Sequence, residues 1–105
     1  MPSLYEPCGL NQMYSMRYGT VPVVRATGGL DDTVQNFDPK TGAGTGFKFG
    51  PYLAGAMLEK IREGLYFYNQ SEAWARIQKN GMAVDHSWSA AAKKYLELYD
   101  EVLAL

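Results

Sequence analysis

Near the start of the chain, the stretch YEPCGLNQMYSMRYG, Tyr5 to Gly19, places a carboxylate, Glu6, and a glycine, Gly9, directly ahead of residues with helical spacing. A helix start leaves its first backbone N–H groups without intrahelical partners and carries a positive partial charge, which suits a phosphate. Gly9 lets a ligand approach the backbone closely. The Glu6 carboxylate, just outside the helix, can accept hydrogen bonds from sugar hydroxyls; Pro7 and Cys8 intervene, so it is poorly placed to cap the helix. A diphosphate beside a hydroxyl-rich group is the chemistry of a nucleotide sugar. A second candidate is Thr27-Gly28-Gly29, a turn that runs into another short helix. Ligands in open α/β sheets bind outside the carboxyl ends of the strands, so two such turns would border one crevice. Both segments equally suit ligand-free turns, with Thr27 as an N-cap and the glycines in a tight bend. Neither matches the dinucleotide or P-loop glycine patterns.

Other chemistry-bearing residues read more simply. His86 is the only histidine and stands at a helix start with no cysteine or second histidine beside it, so no metal site is expected. Glu59, Lys60, Arg62 and Glu63 read as a solvated helix face. Asp31 and Asp32 favour the dipole of a helix start. Trp74, Trp88 and most of the eight tyrosines fall at core spacing.

The elements that would position the first turn follow from punctuation. Leu10, Met13, Tyr14, Arg17 and Tyr18 recur at helical spacing, and Gly19 stands where a left-handed cap belongs. Thr20 to Ala26 (TVPVVRA) reads as a strand buried on both faces, with Pro22 at its beginning or on an unpaired side. Thr27 to Val34 is a turn and short helix, Gln35 to Gly46 a glycine-rich loop, and Phe47 to Phe49 a second short strand. Three helices then close the chain. Pro51 suits a first helical position, with Leu53, Met57, Ile61, Leu65 and Tyr68 as its apolar stripe. Asn69 and Glu72 resemble a capping box ahead of Trp74 and Ile77. Ser87 or Asp85 caps a last helix on which Trp88, Ala92, Tyr95, Tyr99 and Val102 share a face. The expected fold class is α/β, the back part of a Rossmann-like domain with few parallel strands and several helices. Two strands cannot bury both faces of VPVV, so the sheet is expected to be incomplete in this chain, with an edge that invites self-association.

Composition bounds the partners. The chain has 105 residues, 47% hydrophobic and 13% aromatic, which fits one small globular domain. Ten basic against eleven acidic residues give a net charge of -1, so neither nucleic acid nor an anionic membrane is an expected partner. The one cysteine excludes an internal disulfide framework and fits a reducing compartment. No apolar run approaches the roughly 20 residues needed to span a bilayer.

Pro2 to Val34, with EPCGLNQ followed by YGTVPVVRATGGL, closely resembles the C-terminal domain of bacterial glycogen synthases and plant starch synthases. These are the ADP-glucose-dependent glucan synthases of glycosyltransferase family 5. The likeness continues through Gly46-Phe47 to HSWSAAAKKYLELYDEVL, His86 to Leu103, and so covers essentially the whole chain. The resemblance implies the GT-B architecture, two Rossmann-like domains with the active site in the cleft between them. Residues 1–105 would be the C-terminal portion of the nucleotide-sugar-binding domain, with the N-terminal domain absent. The implied reaction is transfer of glucose from ADP-glucose to the non-reducing end of an α-1,4-glucan with retention, without metal or cofactor. Glu6 matches the catalytic glutamate that binds donor hydroxyls and supports developing positive charge. Cys8 matches a cysteine lining the glucose pocket, and Gly9, Leu10 and Asn11 the helix start that holds the diphosphate. Thr27, Gly28 and Gly29 are the further substrate-binding candidates. Tyr14 stands where many GT-B enzymes carry a second glutamate, as in the ADP-glucose branch. The family's diphosphate-neutralising Arg and Lys have no counterpart here, so the isolated chain is expected to be inactive. The implied compartment is the bacterial cytoplasm, or the plastid in a plant. The competing expectations are another GT-B glucosyltransferase and a non-catalytic module that binds nucleotide or glucan.

Overall fold

The short apolar segment VPVV determines how everything else packs, because successive strand residues point to opposite faces. The computed structural model describes residues 1–105. Its elements are α1 (Asn11–Arg17), β1 (Val23–Arg25), α2 (Gly28–Thr33), β2 (Phe47–Phe49), α3 (Ala54–Tyr68), α4 (Ser71–Ala83) and α5 (Trp88–Leu103). β1 and β2 form a two-stranded parallel sheet in which Val23 pairs with Phe47, Val24 with Lys48 and Arg25 with Phe49. β1 is shorter than the Thr20 to Ala26 strand expected from β-branching. Pro22 precedes it and contributes only its carbonyl, which accepts from Phe47 N–H at 3.0 Å. On the opposite edge, the amino group of Met1 donates to Val23 O at 2.8 Å and Arg25 N–H donates to Met1 O at 3.0 Å. These two bonds place Met1 alongside Val24 in the pattern of a parallel neighbour.

The two faces of β1 build two separate cores. Val24 faces α1 and α2, where it packs with Met16, Leu30 and Val34. Val23 faces the other way, against a cluster of Phe37, Phe47, Phe67 and Ile77. In that cluster the Phe47 and Phe67 rings stack with centroids 6.0 Å apart, and Phe37 meets Phe67 edge-on at 5.1 Å. α3 lies on this face where Gly64 faces the Phe47 ring: a Cβ there would sit at contact distance, 3.7 Å.

Capping settles the ends of α1 and α5. Gly19 takes φ of 78°, and its N–H donates to Met16 O while Thr20 N–H donates to Ser15 O, the paired bonds of a Schellman motif. Gln78 on α4 donates to the freed Gly19 carbonyl at 2.9 Å, which docks α4 against that cap. Asn80 donates to Gly42 O and Gly44 O, both at 2.9 Å, and so fastens the Gln35 to Gly46 loop to the same helix. Ser87 caps α5, its hydroxyl accepting from Ala90 N–H at 3.2 Å.

Three expectations are corrected. Pro51 lies in a bend before α3, which begins at Ala54 with Leu53 as N-cap. Asn69 opens no capping box; it ends α3, its side chain donating to Leu65 O at 3.0 Å, and α4 starts after Gln70 without a side-chain cap. The apolar stripes of α3 and α5 are largely uncovered. Leu53, Leu65 and Tyr68 are exposed, while Gly64 and Phe67 are the residues of α3 that are buried. No residue of α5 is buried, and Trp88 is 88% exposed. The periodicity holds in both helices, but the rest of the chain covers little of those faces: Tyr68 meets Trp74 of α4 edge-on at 5.2 Å, and Trp88 borders a cleft beside α1. The projecting α5 gives extents of 50 × 30 × 24 Å and a radius of gyration of 15.5 Å, against about 13 Å for a compact chain of this length.

Because no residue of α5 is fully buried and only Ala90 and Ala91 are half-buried, removing residues 88–105 is expected to change the unfolding free energy of the remainder by less than about 0.5 kcal/mol. Urea unfolding of the shortened chain checks this, and a large loss would show that α5 packs on the body.

Candidate functional site

The segment from Met1 to Leu10 contains no helix or strand, yet it is tied down along its length. After the Met1 pairing, the Arg25 guanidinium donates to Leu4 O at 2.7 Å while lying over the Tyr52 ring. Gly29 N–H donates to Glu6 O at 2.9 Å. The Gln12 side chain then donates to Cys8 O at 2.9 Å and Gly9 O at 3.1 Å. Arg25, which matches no expected ligand residue, therefore acts as a strut for this loop.

The contact with α2 is close enough to dictate sequence. A Cβ on Gly28 would sit 2.0 Å from Glu6 O, and one on Gly29 2.0 Å from Cys8 O. Gly28 also takes a positive φ of 47°. The glycines thus let the backbone of the first turn lie directly on the start of α2. This revises the expectation that both turns open side by side on one crevice. The first turn covers the second, and the Gly29 amide of α2 is bonded to Glu6 O. Thr27 is the N-cap residue by position, without a side-chain cap bond.

Two clefts flank the first turn. One, of about 540 Å³, is lined by Glu6, Gly9, Leu10 and Asn11 with Ser3 and Gln12. Glu6 is half-buried there and accepts from the Ser3 hydroxyl at 3.3 Å. The other, about 870 Å³, lies between α1 and the start of α5, and its lining includes Cys8, Leu10, Tyr14, Arg17, His86 and Trp88. Leu10 borders both. The structure therefore brings Glu6, Gly9, Leu10 and Asn11 together, puts the exposed Cys8 side chain on the neighbouring cleft, and leaves Thr27, Gly28 and Gly29 out of both. Backbone N–H groups from Gly9 to Met13 have no protein acceptor, which leaves a run of free donors beside the Glu6 carboxylate.

The sequence reading missed Gln12. It is fully buried, and besides the two turn carbonyls its amide donates to Thr33 Oγ1 at 3.1 Å, while the Thr33 hydroxyl donates to Gly29 O. The available signal was its place four residues after Cys8, within reach of that carbonyl. At the rim of the larger cleft, the Ser87 hydroxyl, and then its N–H at 2.9 Å, hold the Asp85 carboxyl below its ordinary 3.8.

No family model matches the chain. It is similar to curated proteins named glycogen synthase. That of Koribacter versatilis is 57% identical over 101 residues, covering 96% of this chain and 21% of the relative. That of Pseudothermotoga lettingae is 53% identical over 104 residues, covering 98% and 21%. The catalytic domain of starch synthase IV from Arabidopsis thaliana, bound to ADP and acarbose, superposes with a TM-score of 0.83 at 36% identity, over 99% of this chain and 22% of that one. Sucrose-phosphate synthase from Thermosynechococcus elongatus gives a TM-score of 0.65 at 34% identity, over 98% and 24%. The chain spans about a fifth of the length of the curated relatives it matches.

The close approach at α2 predicts that Gly29→Ala destabilises the fold by about 2 kcal/mol or more, read by chemical denaturation. A neutral result would mean that the turn does not rest on α2. For Asp85, a carboxyl NMR titration should give a midpoint below 3.8, moving up in Ser87→Ala. The folded value is the lower one, so this group's contribution to stability is present above the unfolded pKa and is lost as pH falls through the folded one.

Proposed function

Because this chain is a segment of the glycogen and starch synthase family of glycosyltransferases, we propose that it supplies the donor side of a glucosyl transfer. In this reading it is the C-terminal portion of the nucleotide-sugar-binding domain, and the whole enzyme moves glucose from ADP-glucose to the non-reducing end of an α-1,4-glucan with retention. The observation that carries the assignment is the run of unpartnered N–H groups from Gly9 to Met13 beside the half-buried Glu6. The amides of Gly9, Leu10 and Asn11 would hold the diphosphate and stabilise the charge left on ADP as the glycosidic bond breaks. Glu6 would accept hydrogen bonds from the glucose hydroxyls and offset positive charge at the reacting carbon. Cys8 would line the glucose pocket at the edge shared with the neighbouring cleft. Thr27, Gly28 and Gly29 would serve the site from beneath, by holding the backbone of Glu6 and Cys8 in place. The acceptor glucan would be held by an N-terminal GT-B domain across the cleft, and the remaining donor contacts would come from residues upstream of this segment.

No helix is long and apolar enough to cross a membrane, and the proposed setting is the bacterial cytoplasm, or the plastid in a plant. The resemblance to sucrose-phosphate synthase favours a second reading, a GT-B glucosyltransferase with another donor base. Competition between ADP and UDP for the same amides separates the two.

The test is a pair of measurements on the purified chain. Radiolabelled ADP-glucose is expected to give no incorporation into glycogen by the chain alone, and ADP is expected to shift the amides of Gly9, Leu10 and Asn11 saturably. Incorporation would overturn the division of the active site between two domains. Shifts confined to other residues would overturn the site assignment.

A further inference from the structure

The Gln12 side chain is the most completely buried polar group of the chain, and its role is only half explained by packing. Its Nε2 has three acceptors within 3.1 Å, namely Cys8 O, Gly9 O and Thr33 Oγ1. That arrangement fixes the amide orientation, since exchanging its nitrogen and oxygen would set an oxygen against two carbonyls. It also leaves Oε1 buried without a donor, which costs free energy relative to an apolar side chain of the same shape. A residue kept only to fill space would not carry that cost.

What the amide does is turn two peptide planes. All peptide bonds here are trans, so the C=O and N–H of one plane point in opposite directions. With Cys8 O drawn toward Nε2, Gly9 N–H points away from it. With Gly9 O drawn the same way, Leu10 N–H does too. Both residues line the 540 Å³ cleft, and neither N–H has a protein partner. α1 is too short to present these donors by its dipole alone, and they lie before its first residue, Asn11. Their direction depends on a side chain one turn further on.

We propose that Gln12 is a positioning residue, which aims the Gly9 and Leu10 amides at the diphosphate of a nucleoside-diphosphate ligand. The inference rests on the donor-site reading above and adds to it the residue that orients the donors. The Thr33 hydroxyl, bonded to both Gln12 and Gly29 O, ties this clamp to α2, so the aim of the amides is referred to the sheet rather than to the loop alone.

The test compares ADP binding, followed by amide shifts, in the unmodified chain, in Gln12→Met and in Ile77→Val. Methionine keeps the shape of glutamine and removes both hydrogen bonds to the turn. Ile77 is fully buried in the aromatic core on the opposite face of β1, so its variant lowers stability without touching the turn. Gln12→Met should bind ADP about tenfold more weakly, the loss expected when N–H donors are misaligned toward a charged acceptor. The Gly9 and Leu10 amides should already be displaced in its ligand-free spectrum. Ile77→Val should leave both those shifts and the affinity unchanged. Equal affinity in Gln12→Met and the unmodified chain would overturn the proposal and leave the donor-site reading standing. No ADP binding by the folded, unmodified chain would overturn both. If Gln12→Met does not fold, Gln12→Asn, whose shorter amide cannot reach both carbonyls, carries the same comparison. Failure of both variants to fold would show a purely structural role instead.

Discussion

Two backbones meet without side chains between them where Glu6 and Cys8 lie on Gly28 and Gly29, and the geometry of the candidate site depends on that contact. The first turn has no secondary structure of its own, so its shape must be imposed from outside. α2 imposes it from below through the Gly29 N–H, and Gln12 imposes it from the side through the Cys8 and Gly9 carbonyls. Arg25 and the Met1 pairing hold the approach to the turn against β1. A flexible-looking sequence is thereby fixed by hydrogen bonds to rigid elements, which is how a loop comes to present preorganised donors.

This arrangement divides labour between the two glycine-containing turns. Both follow positions at the carboxyl edge of the sheet, where ligands of open α/β folds collect. Only the first faces open space. The second gives up its own amide to support the first, so one turn is the platform and the other is the surface. Glu6 lines one cleft together with Gly9, Leu10 and Asn11, whose amides have no protein acceptor.

Much of this was legible from residue types, because local geometry has local causes. Gly19 announced the end of α1, and Ser87 the start of α5. The alternation of helix, strand and glycine turn announced the α/β class. The Glu6-to-Asn11 turn was readable as chemistry because few roles need a carboxylate, a glycine and a helix start together. The closeness of α2 was not readable, since Gly28-Gly29 fits a simple bend as well as a backbone contact. Gln12 was hidden because a polar residue in an amphipathic helix ordinarily reads as solvent-facing. Periodicity identified which residues of α3 and α5 share a face, but a shared face does not say what covers it. Leu65 and Tyr99 are exposed for that reason.

β1 joins the two cores back to back, and its pairing with β2 links Val23 to Phe47 across a long stretch of chain. Other contacts close over longer distances still: Gln78 reaches the Gly19 carbonyl and Asn80 those of Gly42 and Gly44. Non-local parallel pairing bears the loop-closure entropy before any contact rewards it. The aromatic core is therefore complete only once β2 has paired with β1 and α4, from further along the chain, has brought Ile77 to Phe37 and Phe47. Helices that form within microseconds wait on these encounters, and until they occur Val23 has no core to enter, whereas Val24 needs only Met16, Leu30 and Val34 from nearby sequence.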